Sequence, residues 1–153
     1  MLNEPTGDSM TEEKAEAGLT KIGATPSTHY FTPTDERDLL IVAPNPGLID
    51  SPDQARENVA YQTAHAQSLS GKRCGVVVQM DRLFGQDAAS RQIYAEGMKP
   101  EFFFGAALVV PSPLSRAIGS FFIGLSKPPI PTRLFKSVDE ALAWLRSIRG
   151  NAN

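Results

Sequence analysis

The chain has 153 residues, 41% of them apolar and 21% charged, a size and composition that suit one globular domain able to bury its own core. A formal charge of −2 excludes the strongly basic character that nucleic acid or an anionic membrane surface would select, and a single cysteine, Cys74, excludes an internal disulfide. No apolar run reaches membrane-spanning length and the first residues lack the basic-then-apolar layout of a secretion signal, so a cytoplasmic location is expected.

Residues 1–26 carry Glu4, Asp8, Glu12, Glu13 and Glu16 against Lys14 and Lys21, with only scattered apolar residues. That composition predicts a flexible acidic tail whose removal leaves the melting temperature nearly unchanged, ahead of a domain over 27–150 and a short tail at 151–153. Thr28–Thr32 and Asp38–Val42 are rich in β-branched, aromatic and aliphatic residues and flank the turn-forming Pro33–Arg37, which predicts a hairpin. Ser51 then opens a helix as N-cap, with Pro52 at the first position, Asp53 at the positive end of the dipole and Gln54 completing a capping box. The helix is expected to run to Ser70. Its inward stripe of Ala55, Val59, Ala66 and Leu69 is modest, which suits cover for a sheet face.

Cys74–Met80 reads as a buried strand, and its thiol, beside Val76–Val78, as an inert one. A helix over Asp87–Glu96 follows, packing through Ala89, Ile93 and Tyr94 and stopped by Gly97. Ala106–Val110 is an unbroken apolar run, the pattern of a strand covered on both faces. Pro111 ends it, Ser112 caps the next helix with Pro113 at its first position, and Leu114, Ala117, Ile118, Phe121, Phe122 and Leu125 mark one face. Ser126–Pro131 is a stiff, proline-rich connection to a last strand at Thr132–Lys136. Ser137 and Glu140 form a second capping box, before a helix whose face is Val138, Ala141, Leu142, Leu145 and Ile148. This order predicts an α/β domain with a mixed, largely parallel five-stranded sheet and about four helices.

Parallel strands aim their carboxyl ends at one sheet edge, so the loops after Met80 and Val110 should bring Asp81, Arg82, Asp87, Ser112, Ser115 and Arg116 into one region, a candidate site for a partner or ligand. The competing reading is structural: Ser112 only caps its helix, and Asp81 pairs with Arg82, Arg91 or Arg116. Phe121, Phe122 and Ile123 cannot all face one side of a helix, which marks Phe122 or Ile123 as lining for an apolar pocket or a subunit contact. The two histidines, His29 in a strand and His65 in a helix, stand in no catalytic motif, and neither phosphate-loop nor metal-ligand spacing occurs. The reading is therefore non-catalytic, with no cofactor and no metal.

Four stretches, taken in order and spacing, carry a resemblance: Gly47–Ala55 entering the first helix, the strand running into Asp81, Ala107–Arg116, and Pro131–Leu145. Through them the chain resembles the bacterial STAS and SEC14-like group, relatives of anti-sigma-factor antagonists, from about Tyr30 to Ile148. The resemblance implies a regulatory module that binds a protein partner in bacterial signalling, with a second copy of the chain as another candidate partner. Its SEC14 side implies the alternative, a binder or carrier of a small apolar or lipid-like ligand. Members of the group are switched by phosphorylation of a serine or threonine that follows an acidic residue where the next helix begins. Here the residue after Asp87 is Ala88, and the nearest hydroxyl, Ser90, is the candidate.

Overall fold

A computed structural model describes residues 18–150, and the first element of this described part is a strand where the sequence reading placed a tail. β1 (Leu19–Thr25) pairs antiparallel with β2 (Thr28–Pro33), with Leu19 opposite Pro33 and Thr25 opposite Thr28, through a bulge between Lys21 and Gly23. The tail expectation is therefore corrected for residues 19–25; residues 1–17 and 151–153 lie outside the described residues. Only Leu19 and Ile22 of this strand pack on the core, and most of the rest of its stabilisation is backbone pairing, which composition does not register, with one side-chain bond from Thr25 to Asn58. Removing residues through Pro26 should thus cost about 2 to 3 kcal/mol and lower the melting temperature by about 10 °C. Thermal melts of the truncated and full chains check this, and a shift under about 2 °C would deny β1 a stabilising role.

The remaining elements follow in the expected alternation: β3 (Leu39–Pro44), β4 (Leu48–Asp50), α1 (Pro52–Gln67), β5 (Cys74–Gln79), a 3-10 turn (Met80–Arg82), β6 (Leu83–Gln86), α2 (Ala88–Gly97), β7 (Phe103–Val109), α3 (Pro113–Ser126), β8 (Thr132–Phe135) and α4 (Val138–Arg149). The main sheet has six strands in the order β1-β2-β3-β5-β7-β8, one more than expected, and the added strand is β1. β2 and β3 form the antiparallel hairpin, and β3, β5, β7 and β8 run parallel. β4 and β6 form a separate two-stranded parallel ribbon that the sequence reading missed, each being too short to show an alternating pattern.

α4 covers one face of the sheet. Ala141, Leu142 and Leu145 sit on Phe31, Leu39, Ile41, Ala43, Val77, Phe104, Ala107 and Val109. The helix approaches closely because Gly75 and Gly105 are paired across β5 and β7: a Cβ on the first would lie 2.7 Å from the Phe104 ring, and one on the second 2.8 Å from the Ile148 side chain. Trp144 lies at the margin, half-buried, with its ring centroid 5.4 Å from that of Phe135 and the Arg133 guanidinium 5.8 Å from its ring. At the C-terminal end of α4, Arg146 and Arg149 reach Glu36 at 2.7 and 3.0 Å, fastening the helix to the β2–β3 turn.

The opposite face exposes Tyr30, Leu40, Val42, Cys74, Val76, Phe103 and Ala106 to the α1 and α2 side. Burial pushes the Cys74 thiol far up, so it is inert, as expected from its neighbours. α1 starts as expected, with Ser51 accepting from the Gln54 amide and the Gln54 side chain accepting from the Ser51 amide. Its inward row, however, is largely polar: Asn58, Gln62 and His65 are buried beside Ala55 and Ala66. The modest apolar stripe seen in the sequence is the signature of that polar row.

His65 donates from Nε2 to the Arg37 carbonyl at 2.8 Å, and burial holds it below its ordinary value of 6.5. The folded chain therefore binds fewer protons here than the unfolded one, so this contribution is complete above about pH 6.5 and is lost as pH falls below it. The melting temperature should drop between pH 7.5 and 5.5, and His65→Gln should flatten that drop. An equal fall in the variant would place the pH dependence elsewhere.

Candidate functional site

At the carboxyl ends of β3, β5 and β7 the sheet is not fully covered. Val42, Val76, Val78, Ala106 and Leu108 form the floor of a partly open cavity of about 320 Å³, roofed by α1, α2, the β4–β6 ribbon and the Pro128–Ile130 connection. The ribbon makes the roof two-sided. Leu48, Asp50, Leu83 and Gln86 line the cavity, while Ile49 and Phe84, the alternate residues, stand 65% and 80% exposed on the outside.

One end of this apolar space is a buried polar network built on Asn58, which is 1% exposed. Its Oδ1 accepts from Tyr30 and from Thr25, each at 2.7 Å, and its Nδ2 donates to Ser27 at 2.9 Å and to the Tyr94 hydroxyl at 3.3 Å. Gln62 donates to the Tyr30 hydroxyl at 3.3 Å. Tyr94 in turn donates to Asp50 Oδ2 at 2.8 Å, which also accepts from Gln86 at 3.2 Å, while Asp50 Oδ1 accepts from the Ser51 amide at 3.0 Å. Burial, reinforced by the bond to Asp50, pushes the Tyr94 phenol well up, and burial does the same to Tyr30. Both remain protonated donors at neutral pH, and their hydroxyls serve to position neighbours.

The expected site lies at this same sheet edge, but its residues do other work. Arg82 donates to the Pro44 carbonyl at 2.6 Å and Arg116 to the carbonyls of Val110 and Pro111 at 2.9 and 2.5 Å, so each ties down a strand end. Asp87 caps α2 by accepting from the Ser90 amide at 2.7 Å, which holds its carboxyl below the usual range, and Ser112 caps α3 by accepting from the Ser115 amide at 3.3 Å. Asp81 is exposed on the 3-10 turn. None of these six is among the residues that line the cavity. Charge reversal at both Arg82 and Arg116 should therefore lower the melting temperature by several degrees, and unchanged melting would show that these bonds do not hold the strand ends.

Ser90 is fully buried within the first turn of α2, so its hydroxyl is not a surface group a kinase can meet in the folded chain. That corrects the phosphorylation candidate. Ile123 is half-buried, and its carbonyl accepts the Lys127 amide at the end of α3. The Phe122 side chain, with those of Leu114, Ile118, Ser120, Phe121, Leu125 and Ser126, lies outside the described residues.

Asp50, Asn58, Gln62, Tyr94 and Gln86 were missed because they are scattered over four elements in no motif. The available signal was the row Ala55, Asn58, Gln62, Ala66, an inward face at helical spacing that carries two amides. Among the described residues no group of His, Cys, Asp and Glu could hold a metal ion, and no helix is long and apolar enough to cross a membrane.

The chain belongs to the family described as a domain of unknown function, DUF7793, which matches residues 36–149. No protein of curated function matches it. Among solved structures it is similar to an uncharacterized protein of the DUF3478 family with a SpoIIAA-like fold from Shewanella loihica PV-4, at 10% identity and a TM-score of 0.52, covering 83% of this chain and 91% of that one. The fold is SpoIIAA-like, as the resemblance to STAS proteins implied.

Proposed function

We propose that this DUF7793 protein is a non-catalytic binder of a small, mostly apolar molecule that carries one polar group. The observation that supports it is the cavity itself: about 320 Å³ with a floor of valine, alanine and leucine and a cluster of polar groups at Asp50, Gln62, Gln86 and Tyr94, which is the build of a small-molecule site. The apolar part of a ligand would lie on Val42, Val76, Val78 and Leu108, and its polar group would meet Asp50, Gln86 and Tyr94. Binding is favoured over catalysis because the polar groups are committed to one another: the Tyr94 hydroxyl to Asp50 and Asn58, the Asp50 oxygens to three donors. No histidine lines the cavity as a base.

The reading is tested by fluorescence titration with N-phenylnaphthylamine, a neutral apolar probe, followed by displacement with octanol. Saturable, stoichiometric binding that octanol reverses is expected. Binding that does not saturate, or that octanol leaves unchanged, removes the cavity as a ligand site.

The second reading, a regulatory module that docks on a protein partner, draws its support from Ile49 and Phe84, two large apolar side chains exposed together on the outer side of the ribbon. Serine at both positions should abolish capture of such a partner while leaving probe binding intact. Retained capture by the double variant would remove the ribbon from the docking surface.

A further inference from the structure

We infer that the ligand's polar group is a cation, so that the cavity takes a small apolar amine; this rests on the apolar-ligand reading above. The observation is Asp50. It is 5% exposed, it lines the cavity, and among the described residues no arginine, lysine or histidine forms an ion pair with it. Its three hydrogen-bond partners, the Ser51 amide, the Gln86 amide group and the Tyr94 hydroxyl, are all donors. The Tyr94 hydrogen is directed at Asp50 because the same oxygen already accepts from Asn58. Three donors and no acceptor are the surroundings of a carboxylate, and they use about three of its roughly four acceptor sites.

A buried carboxylate is ordinarily paired with a cation. Here the ribbon and α2 hold one against an apolar cavity with three neutral donors, no cationic partner among the described residues and an acceptor site to spare. The basic residue that lines the cavity, Arg91, does not answer it: its guanidinium donates to the Gln86 carbonyl at 2.7 Å on the exposed side of α2, and its charge acts on Asp87. A primary ammonium placed at Asp50 supplies the missing charge and three donors, while its alkyl chain lies on Val76, Val78 and Leu108. An anionic head at the same place would face the carboxylate without a neutralising partner.

The experiment is calorimetric titration of the full chain at neutral pH and physiological salt with three probes of one chain length: octylamine, octanol and octanoate. Octylamine should bind at least about tenfold more tightly than octanol, the gain of one charge-assisted hydrogen bond, and octanoate weakest of all. In Asp50→Asn the affinities of amine and alcohol should converge while the alcohol still binds. If octanol and octanoate bind the parent as tightly as octylamine, the cationic assignment is overturned and the apolar cavity stands. If the variant keeps the full amine preference, Asp50 is not the receptor and the assignment again fails. If none of the three binds the parent, the cavity reading and the amine fall together. Should Asp50→Asn fail to fold, the order of the three probes on the parent decides.

Discussion

Val78→Trp should abolish binding of apolar probes while the protein folds and melts close to the parent. Val78 is the one floor valine of β5 and β3 that is not fully buried, and it lines the cavity. The indole adds volume to a space of about 320 Å³ that no protein atom fills, so the substitution does not force the displacement that makes overpacking in a dense core costly. The ring would cover Val76, Ala106 and Leu108 and take the contacts a ligand would take. Its effect on the melting temperature should stay within a few degrees, in either direction, because buried apolar area offsets lost freedom of the ribbon. A titration of the variant beside the parent checks it. A variant that melts normally and binds the probe with unchanged affinity would show that the probe sits elsewhere.

Asn58→Ala should be among the most damaging single substitutions in the chain, at about 3 to 5 kcal/mol. The loss is not one hydrogen bond. Thr25 and Tyr30 both donate to its oxygen, and its nitrogen serves Ser27 and Tyr94, so the change strands buried groups on β1, β2 and α2 at once. Each buried group left without a partner costs about 1 to 3 kcal/mol, and part of that is recovered where Tyr30 keeps Gln62 and Tyr94 keeps Asp50. Denaturant unfolding measures it. A loss below about 1 kcal/mol would mean that water replaces the amide and that the network is wetter than its burial implies.

The parts of the fold that the sequence displays are those where a local pattern repeats. α4 shows its inward row at Ala141, Leu142 and Leu145, β7 its unbroken apolar run, and Ser51, Ser112 and Ser137 each cap the helix they precede. β1 is hidden because an edge strand draws on backbone hydrogen bonds that any residue can make, and its seven residues include only two large apolar anchors, Leu19 and Ile22. The site is hidden for a different reason. Asp50 and Gln86 are adjacent only because two short strands pair, and Asn58 meets Tyr94 only because Gly97 lets α2 close on Val59 of α1. The residues that did stand out as charged or hydroxylated at the sheet edge, Arg82, Asp87, Ser112 and Arg116, are conspicuous because loops and helix starts need such groups.

The most direct test of the cavity is a methyl NMR titration of the full chain with octanol. The expected result is a saturable set of shifts at Val76, Val78, Leu108 and Met80, with Leu39, Ile41 and Val77, on the face beneath α4, unmoved. Shifts spread equally over both faces of the sheet, or none that saturate, would contradict a ligand site in this cavity.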